Sequence, residues 1–128
     1  MAEITTNVNW LAVGVGGVVA FMLGWLWYSP KLFGTKWAEG VGVSLDDGSG
    51  PPAAAMIMQV VGTFLLAWVV GVTAARDALM TIILILATIV ALMVAGGLFS
   101  QKSSYAIATE AGFVVAMVAV MIIVHAIL

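Results

Sequence analysis

The 128-residue chain has no cysteine, one histidine, three prolines and few charges, four Lys or Arg against six Asp or Glu. Without thiols there are no disulfides and no thiolate-bound metal. A formal net charge of −2 on so few basic residues leaves no cationic surface for nucleic acid. Charged residues make up 8% of the chain, where a soluble domain carries about a quarter. An ordinary water-soluble domain is thereby excluded, and 64% of the residues are hydrophobic.

Those apolar residues are gathered in four runs, 8–27, 53–75, 78–100 and 104–128, each near the ~20 residues that a helix needs to cross about 30 Å of hydrocarbon. The expected fold is all-α: one domain, a bundle of four transmembrane helices in a lipid bilayer, with a short interfacial segment over 31–39 and a loop over 40–52. The first run follows Glu3 rather than a basic stretch and is longer than a signal-peptide core, so it reads as a retained span. Trp10 at one end of it and Trp27 with Tyr28 at the other lie about 25 Å apart, suited to anchoring at both headgroup layers. Pro30 then stops the helix, and Phe33 and Trp37, one turn apart beside Lys31 and Lys36, lay the next segment on the membrane surface.

A single helix through runs two and three would be about 70 Å long, so the chain turns at Arg76 and Asp77. Asp77 is expected to cap the third span and Arg76 to sit against the dipole at the end of the second. A serine of Ser103 and Ser104 is expected to cap the fourth. Four spans put both termini on one side. Lys31, Lys36 and Lys102 share the other side against Arg76, which makes their joints cytoplasmic and the termini periplasmic by the positive-inside rule.

Small residues recur at every fourth position: Ala12, Gly16, Ala20 and Gly24; Ala67, Gly71 and Ala75; Ala87, Ala91 and Ala95; Ser104, Ala108, Gly112 and Ala116. In lipid, close backbone approach along such stripes supplies helix packing, with Gly16, Ala20, Gly24 and Gly112 the principal contacts. The methionines are adaptable filling.

Polar side chains inside the spans are Gln59, Thr63, Thr81, Thr88, Glu110 and His125. Ionisable groups at such depth are functional candidates. Glu110 and Gln59 lie at similar depth at the lysine-bearing end, whereas His125, about 22 Å from Glu110 along the same helix, is a polar residue of the last turn. Glu110, Val114, Met117, Met121 and His125 share one face of the fourth span, opposite Ala108, Gly112, Ala116 and Ala119. With the small face packed inward, Glu110 points outward, to Lys102 or a headgroup, to a protein partner or second copy, or into proton handling.

No nucleophile–base pair, metal-ligand spacing or phosphate loop is present, which argues against an enzyme and implies no cofactor. The leading expectation is a non-catalytic accessory or scaffolding subunit packed against a larger membrane complex or itself. The alternative is a small proton or solute transporter or channel using Gln59 and Glu110.

The segments Asn9-Trp10-Leu11-Ala12-Val13 and Trp27-Tyr28-Ser29-Pro30, followed by Leu32, Phe33, Gly34 and Trp37, resemble an uncharacterised bacterial membrane family, domain of unknown function 1761. Ala111, Gly112 and Phe113 add to the likeness, which extends over the whole chain. The resemblance implies a four-helix protein of the bacterial inner membrane in which the WYSP and FG segment closes helix 1. It implies no activity. The chain departs from the family pattern at Glu110, where Asn is expected, and at Val114, where His is expected.

Overall fold

The computed structural model describes residues 2–43 and 52–128. It contains six helices and no strand among those residues: α1 (Ala2–Thr5), α2 (Trp10–Trp27), α3 (Gly34–Val41), α4 (Ala53–Ala75), α5 (Leu79–Phe99) and α6 (Ser104–Ile127). Four of them, α2, α4, α5 and α6, are long and apolar enough to cross a membrane. Most of the loop expected over 40–52 lies outside the described residues. Within the segment expected to be interfacial lies α3, which starts at Gly34 because 28–33 is a run of turns and is closed by Gly42 in the left-handed region at φ 82°.

Helix ends follow local chemistry. Asn9 caps α2 by accepting from the Ala12 amide at 3.1 Å, which moves the start of this span from residue 8 to Trp10. Ser103 caps α6 through the Ala106 amide at 3.0 Å. Asp77 does not cap α5. It adopts φ 51°, immediately after the last turn of α4, while the Ala78 amide donates to Thr73 O at 2.8 Å and the Asp77 amide to Ala74 O at 3.3 Å. This is the paired closure of a helix C-terminus around one left-handed residue, a place that Asp tolerates better than most. Gln101, at φ 58°, closes α5 in the same way, with Lys102 donating to Gly97 O and Gln101 to Leu98 O. Joints this short leave Asp77 to finish the helix behind it rather than begin the one ahead.

Helix α6 is the hub, packing against α2, α3, α4 and α5, whereas α2 and α5 share no substantial interface. The core is filled by Val13, Ala20, Ala67, Val70, Ile82, Phe113, Met117, Val118 and Met121. The α2 stripe faces this core, with Ala12, Gly16 and Ala20 buried. A Cβ on Gly16 would lie 3.7 Å from the Met121 Cα, so α2 and α6 approach backbone to backbone there. Gly17, outside the expected stripe, is as necessary: its open side is filled by the Phe64 ring of α4. One helix turn thus serves two neighbours, Gly16 toward α6 and Gly17 toward α4.

The other stripes divide. Ala67 and Gly71 of α4 are buried, but Ala87 and Ala91 of α5 and Ala108 of α6 are exposed. The expected orientation of α6 is reversed: Val114, Met117 and Met121 are its buried face, while Ala108 and Ala119 look outward. Larger side chains fill the space between α6 and its four neighbours better than alanines do, and nothing in lipid drives small residues inward of themselves.

Candidate functional site

The polar and aromatic groups assemble where α3 folds back on the ends of α2 and α6. After Trp27 the chain reverses through hydrogen bonds from Phe33 N to Trp27 O at 3.2 Å and from Gly34 N to Ser29 O at 2.9 Å. Pro30, which has no amide hydrogen to leave unpaired, sits in this turn. Gly34 lies directly against the Tyr28 carbonyl, and any Cβ there would collide with that oxygen. Gly40 makes the second close approach: its carbonyl accepts from Ser103 N at 3.1 Å, and its bare Cα rests on Ser103 and Ala106. Two glycines six residues apart therefore clamp α3 between the end of α2 and the start of α6.

This clamp brings Trp37 to Glu110, 73 residues away, where the indole Nε1 donates to Oε2 at 2.9 Å. Lys102 Nζ donates to both carboxylate oxygens, at 2.9 and 3.0 Å. The Glu110 side chain is 18% exposed and that of Lys102 30%, so the pair lies at the rim of the bundle. Charge-assisted bonds of this length, partly shielded from water, are stronger than a surface ion pair. Of the three fates expected for Glu110, the structure shows the contact with Lys102, and it adds the indole.

Aromatic rings floor the site. Tyr28 meets Trp37 edge-on at 5.0 Å between centroids and Phe113 at 5.3 Å, while Trp27 stacks at a tilt on Phe33 at 4.9 Å and Phe113 at 6.1 Å. Edge and tilted pairs of this spacing add stability beyond area burial. Trp27 is also pinned by its Nε1 donating to Thr109 O at 3.0 Å. Lys36 lies 5.4 Å above the Tyr105 ring. The Tyr28 phenol, just beyond the end of α2, is pushed well above the usual tyrosine range, first by burial and second by the Glu110 charge.

Phe33, Gly34, Trp37, Trp27, Tyr28, Ser29, Pro30 and Glu110 thus meet in one place, with Ser29 Oγ turned back on Leu26 O at 2.7 Å. Gly24 and Gly112 line its floor, the first against the Phe113 ring and the second against Trp27. Gln59 is not part of it. It is exposed on α4 and donates to Thr63 Oγ1 one turn along its own helix, at 3.1 Å. His125 lies in the last turn of α6, with Nδ1 2.9 Å from Met121 O. What sequence reasoning missed is Trp37 as a hydrogen-bond donor, the Thr109 carbonyl as an acceptor, and Gly40. A backbone acceptor leaves no mark on side-chain identity, and a pairing across 73 residues has no local signature.

The sequence model of a family described as a protein of unknown function, DUF1761, matches residues 11–126. The chain belongs to this family. The match runs from the first turn of α2 almost to the end of α6 and so takes in every residue of the site described above. No curated protein and no solved structure matches the chain. Membership assigns no activity, and the membrane-like, helical character of the chain rests on its own four long apolar helices. Chemically, the site is a carboxylate already occupied by two donors, and among the described residues no group of three or more His, Cys, Asp or Glu could hold a metal.

Proposed function

We propose that this protein is a non-catalytic integral membrane protein of the bacterial inner membrane that works by association, as an accessory or scaffolding subunit of a larger membrane complex or of a self-assembly. The observation that carries this reading is how its one acidic intramembrane side chain is used. Glu110 ties α6, on which it sits, to α3 through Trp37 and to the α5–α6 joint through Lys102. A proton carrier needs a carboxylate that changes partners as it loads and unloads, and this one is held by donors from two other segments at once. The transporter alternative also uses Gln59, whose side chain is turned to Thr63 on its own helix, α4.

Support for a contact role comes from α5. Only 11% of its most apolar window is buried, against 39% for α6, and Ile82 and Gly97 are its buried residues. The flank of Leu84, Ala87, Thr88 and Ala91 is open for a neighbour. The termini face the periplasm in this reading, with Lys31, Lys36 and Lys102 in the cytoplasm.

The test pairs two readouts on wild type, Glu110→Gln and Glu110→Leu. Proton flux is measured in reconstituted vesicles, and photocrosslinking from position 91 is measured in native membranes, with position 18 on exposed α2 as control. A protein adduct from 91 that is absent from 18, with no flux in any variant, is the expected result. Flux in wild type that vanishes in Glu110→Gln overturns the reading. Single cysteines at Ala2 and Thr35 report orientation, Ala2 alone reacting with an impermeant thiol reagent on whole cells.

A further inference from the structure

Three of the five tryptophans, Trp27, Trp37 and Trp68, donate their indole N–H to the protein itself. Trp25 does not. It is 78% exposed on the outer side of α2, where with Phe21, Met22, Leu26, Ser29 and Lys31 it lines an open groove of about 490 Å³. The lining has a direction. Phe21, Met22, Trp25 and Leu26 supply an apolar wall at i, i+1, i+4 and i+5 along the last two turns of the span, and Lys31 closes it just past the helix end. From Phe21 to Ser29 the groove runs for about 12 Å.

The cations at this end of the bundle differ in what they do. Lys102 is held by Glu110, and Lys36 lies over Tyr105. Lys31 is exposed, and among the described residues no carboxylate lies within ion-pair reach of it. An uncompensated ammonium at headgroup level, continuous with an apolar trough pointing into the hydrocarbon and flanked by a free indole donor, matches a molecule that is anionic at one end and aliphatic along its length. We propose that this groove is a binding site for one anionic phospholipid, its phosphate on the Lys31 ammonium and the Trp25 indole, and the first part of an acyl chain lying along Phe21, Met22 and Leu26. Free phosphate would leave the trough empty. A zwitterionic lipid brings its own ammonium to compete with Lys31 for the phosphate. The assignment is independent of the accessory-subunit reading, because it uses a different face of the protein from α5.

The test is native mass spectrometry of the full chain released from nanodiscs of equimolar phosphatidylglycerol and phosphatidylcholine. Wild type is expected to retain one phosphatidylglycerol with about fivefold preference, the gain typical of one basic residue near an anionic lipid surface. Lys31→Glu is expected to abolish the preference, Lys31→Arg to keep it, and Trp25→Ala to lower retention of either lipid. Lys36→Gln serves as the control and is expected to leave the preference unchanged. Three results would overturn the proposal: the same preference in Lys31→Glu as in wild type, loss of the bound lipid on adding inorganic phosphate, or a lipid-free dimer whose formation depends on Trp25 and Lys31.

Discussion

The two ends of the bundle each hold down a short helix, and they do so by different chemistry. At the α3 end, besides the backbone bonds of Gly34 and Gly40, the fastening runs from side chain to side chain, Trp37 and Lys102 on Glu110, over a floor of Tyr28, Phe33 and Phe113. At the α1 end it runs from side chain to backbone. Arg76 donates to Glu3 O at 2.6 Å and Thr6 O at 3.3 Å, and Trp68 to Ile4 O at 2.6 Å, with Trp10 stacked on Trp68 at 5.6 Å. The α3 end therefore depends on the identity of residues on both partners. The α1 end depends on identity on one side only, since every residue carries a carbonyl.

The comparison breaks most readily at Gly34. A methyl group there meets the Tyr28 carbonyl, which is backbone and cannot swing aside as a side chain can. Gly34→Ala is expected to cost about 2–3 kcal/mol, read as thermal stability in detergent, and to release α3 to protease. Wild-type protection of α3 in this variant would show that the clamp is not what holds it.

Next in size is Glu110. Replacement by Leu strands the Lys102 ammonium and the Trp37 indole together, at a cost of about 1–2 kcal/mol, since Lys102 is exposed enough to find water or a headgroup. Glu110→Gln keeps an acceptor for the indole and is expected to cost about half as much. Fluorescence of Trp37, in a background lacking the other tryptophans, separates the two: the Leu variant changes the indole environment and the Gln variant changes it little. Equal losses in both would mean that the charge on Lys102, rather than the indole bond, carries the joint.

Alkaline pH acts on the same end. Tyr28 ionises later in the folded protein than in an unfolded chain, so its neutral form is the one that folding favours. That contribution is complete below the ordinary tyrosine range near pH 10 and is lost as pH rises through it toward the folded value. Tyr28→Phe is expected to flatten this loss of stability. Glu110→Gln, by removing the second cause and leaving burial, is expected to bring phenol ionisation earlier than in wild type, as followed by ultraviolet difference absorption. An unchanged titration in Glu110→Gln would show that burial acts alone.

Legibility in the sequence follows from which physical term decided each feature. The four spans were readable because hydrocarbon thickness fixes their length and lipid tolerates few charges along them. The reversal after Trp27 was readable too, since proline and glycine act within a few residues. The facing of α6 was not. In a soluble helix the buried face is the apolar one, but α6 is apolar on all sides, so the sequence carried no contrast between its inward face of Val114, Met117 and Met121 and its outward face of Ala108 and Ala119. Asp77 misled for a different reason: a residue between two helices can belong to either, and the choice fell to the carbonyls of Thr73 and Ala74.

The smallest effects are expected at the α1 end, where they test the contrast most directly. Arg76→Ala removes both donations to α1 from an exposed side chain, a loss of about 0.5–1 kcal/mol that is local rather than global. Amide hydrogen exchange in α1 is expected to quicken while that of α6 stays as in wild type. Glu3→Ala is the sharper experiment, because opposite charge alone would pair the Glu3 carboxylate with the Arg76 guanidinium. The guanidinium takes the Glu3 carbonyl, which alanine also supplies, so exchange in α1 is expected to be that of wild type. Faster exchange in Glu3→Ala, matching that of Arg76→Ala, would show that this end too is fastened by side-chain charge, and the difference between the two ends would disappear.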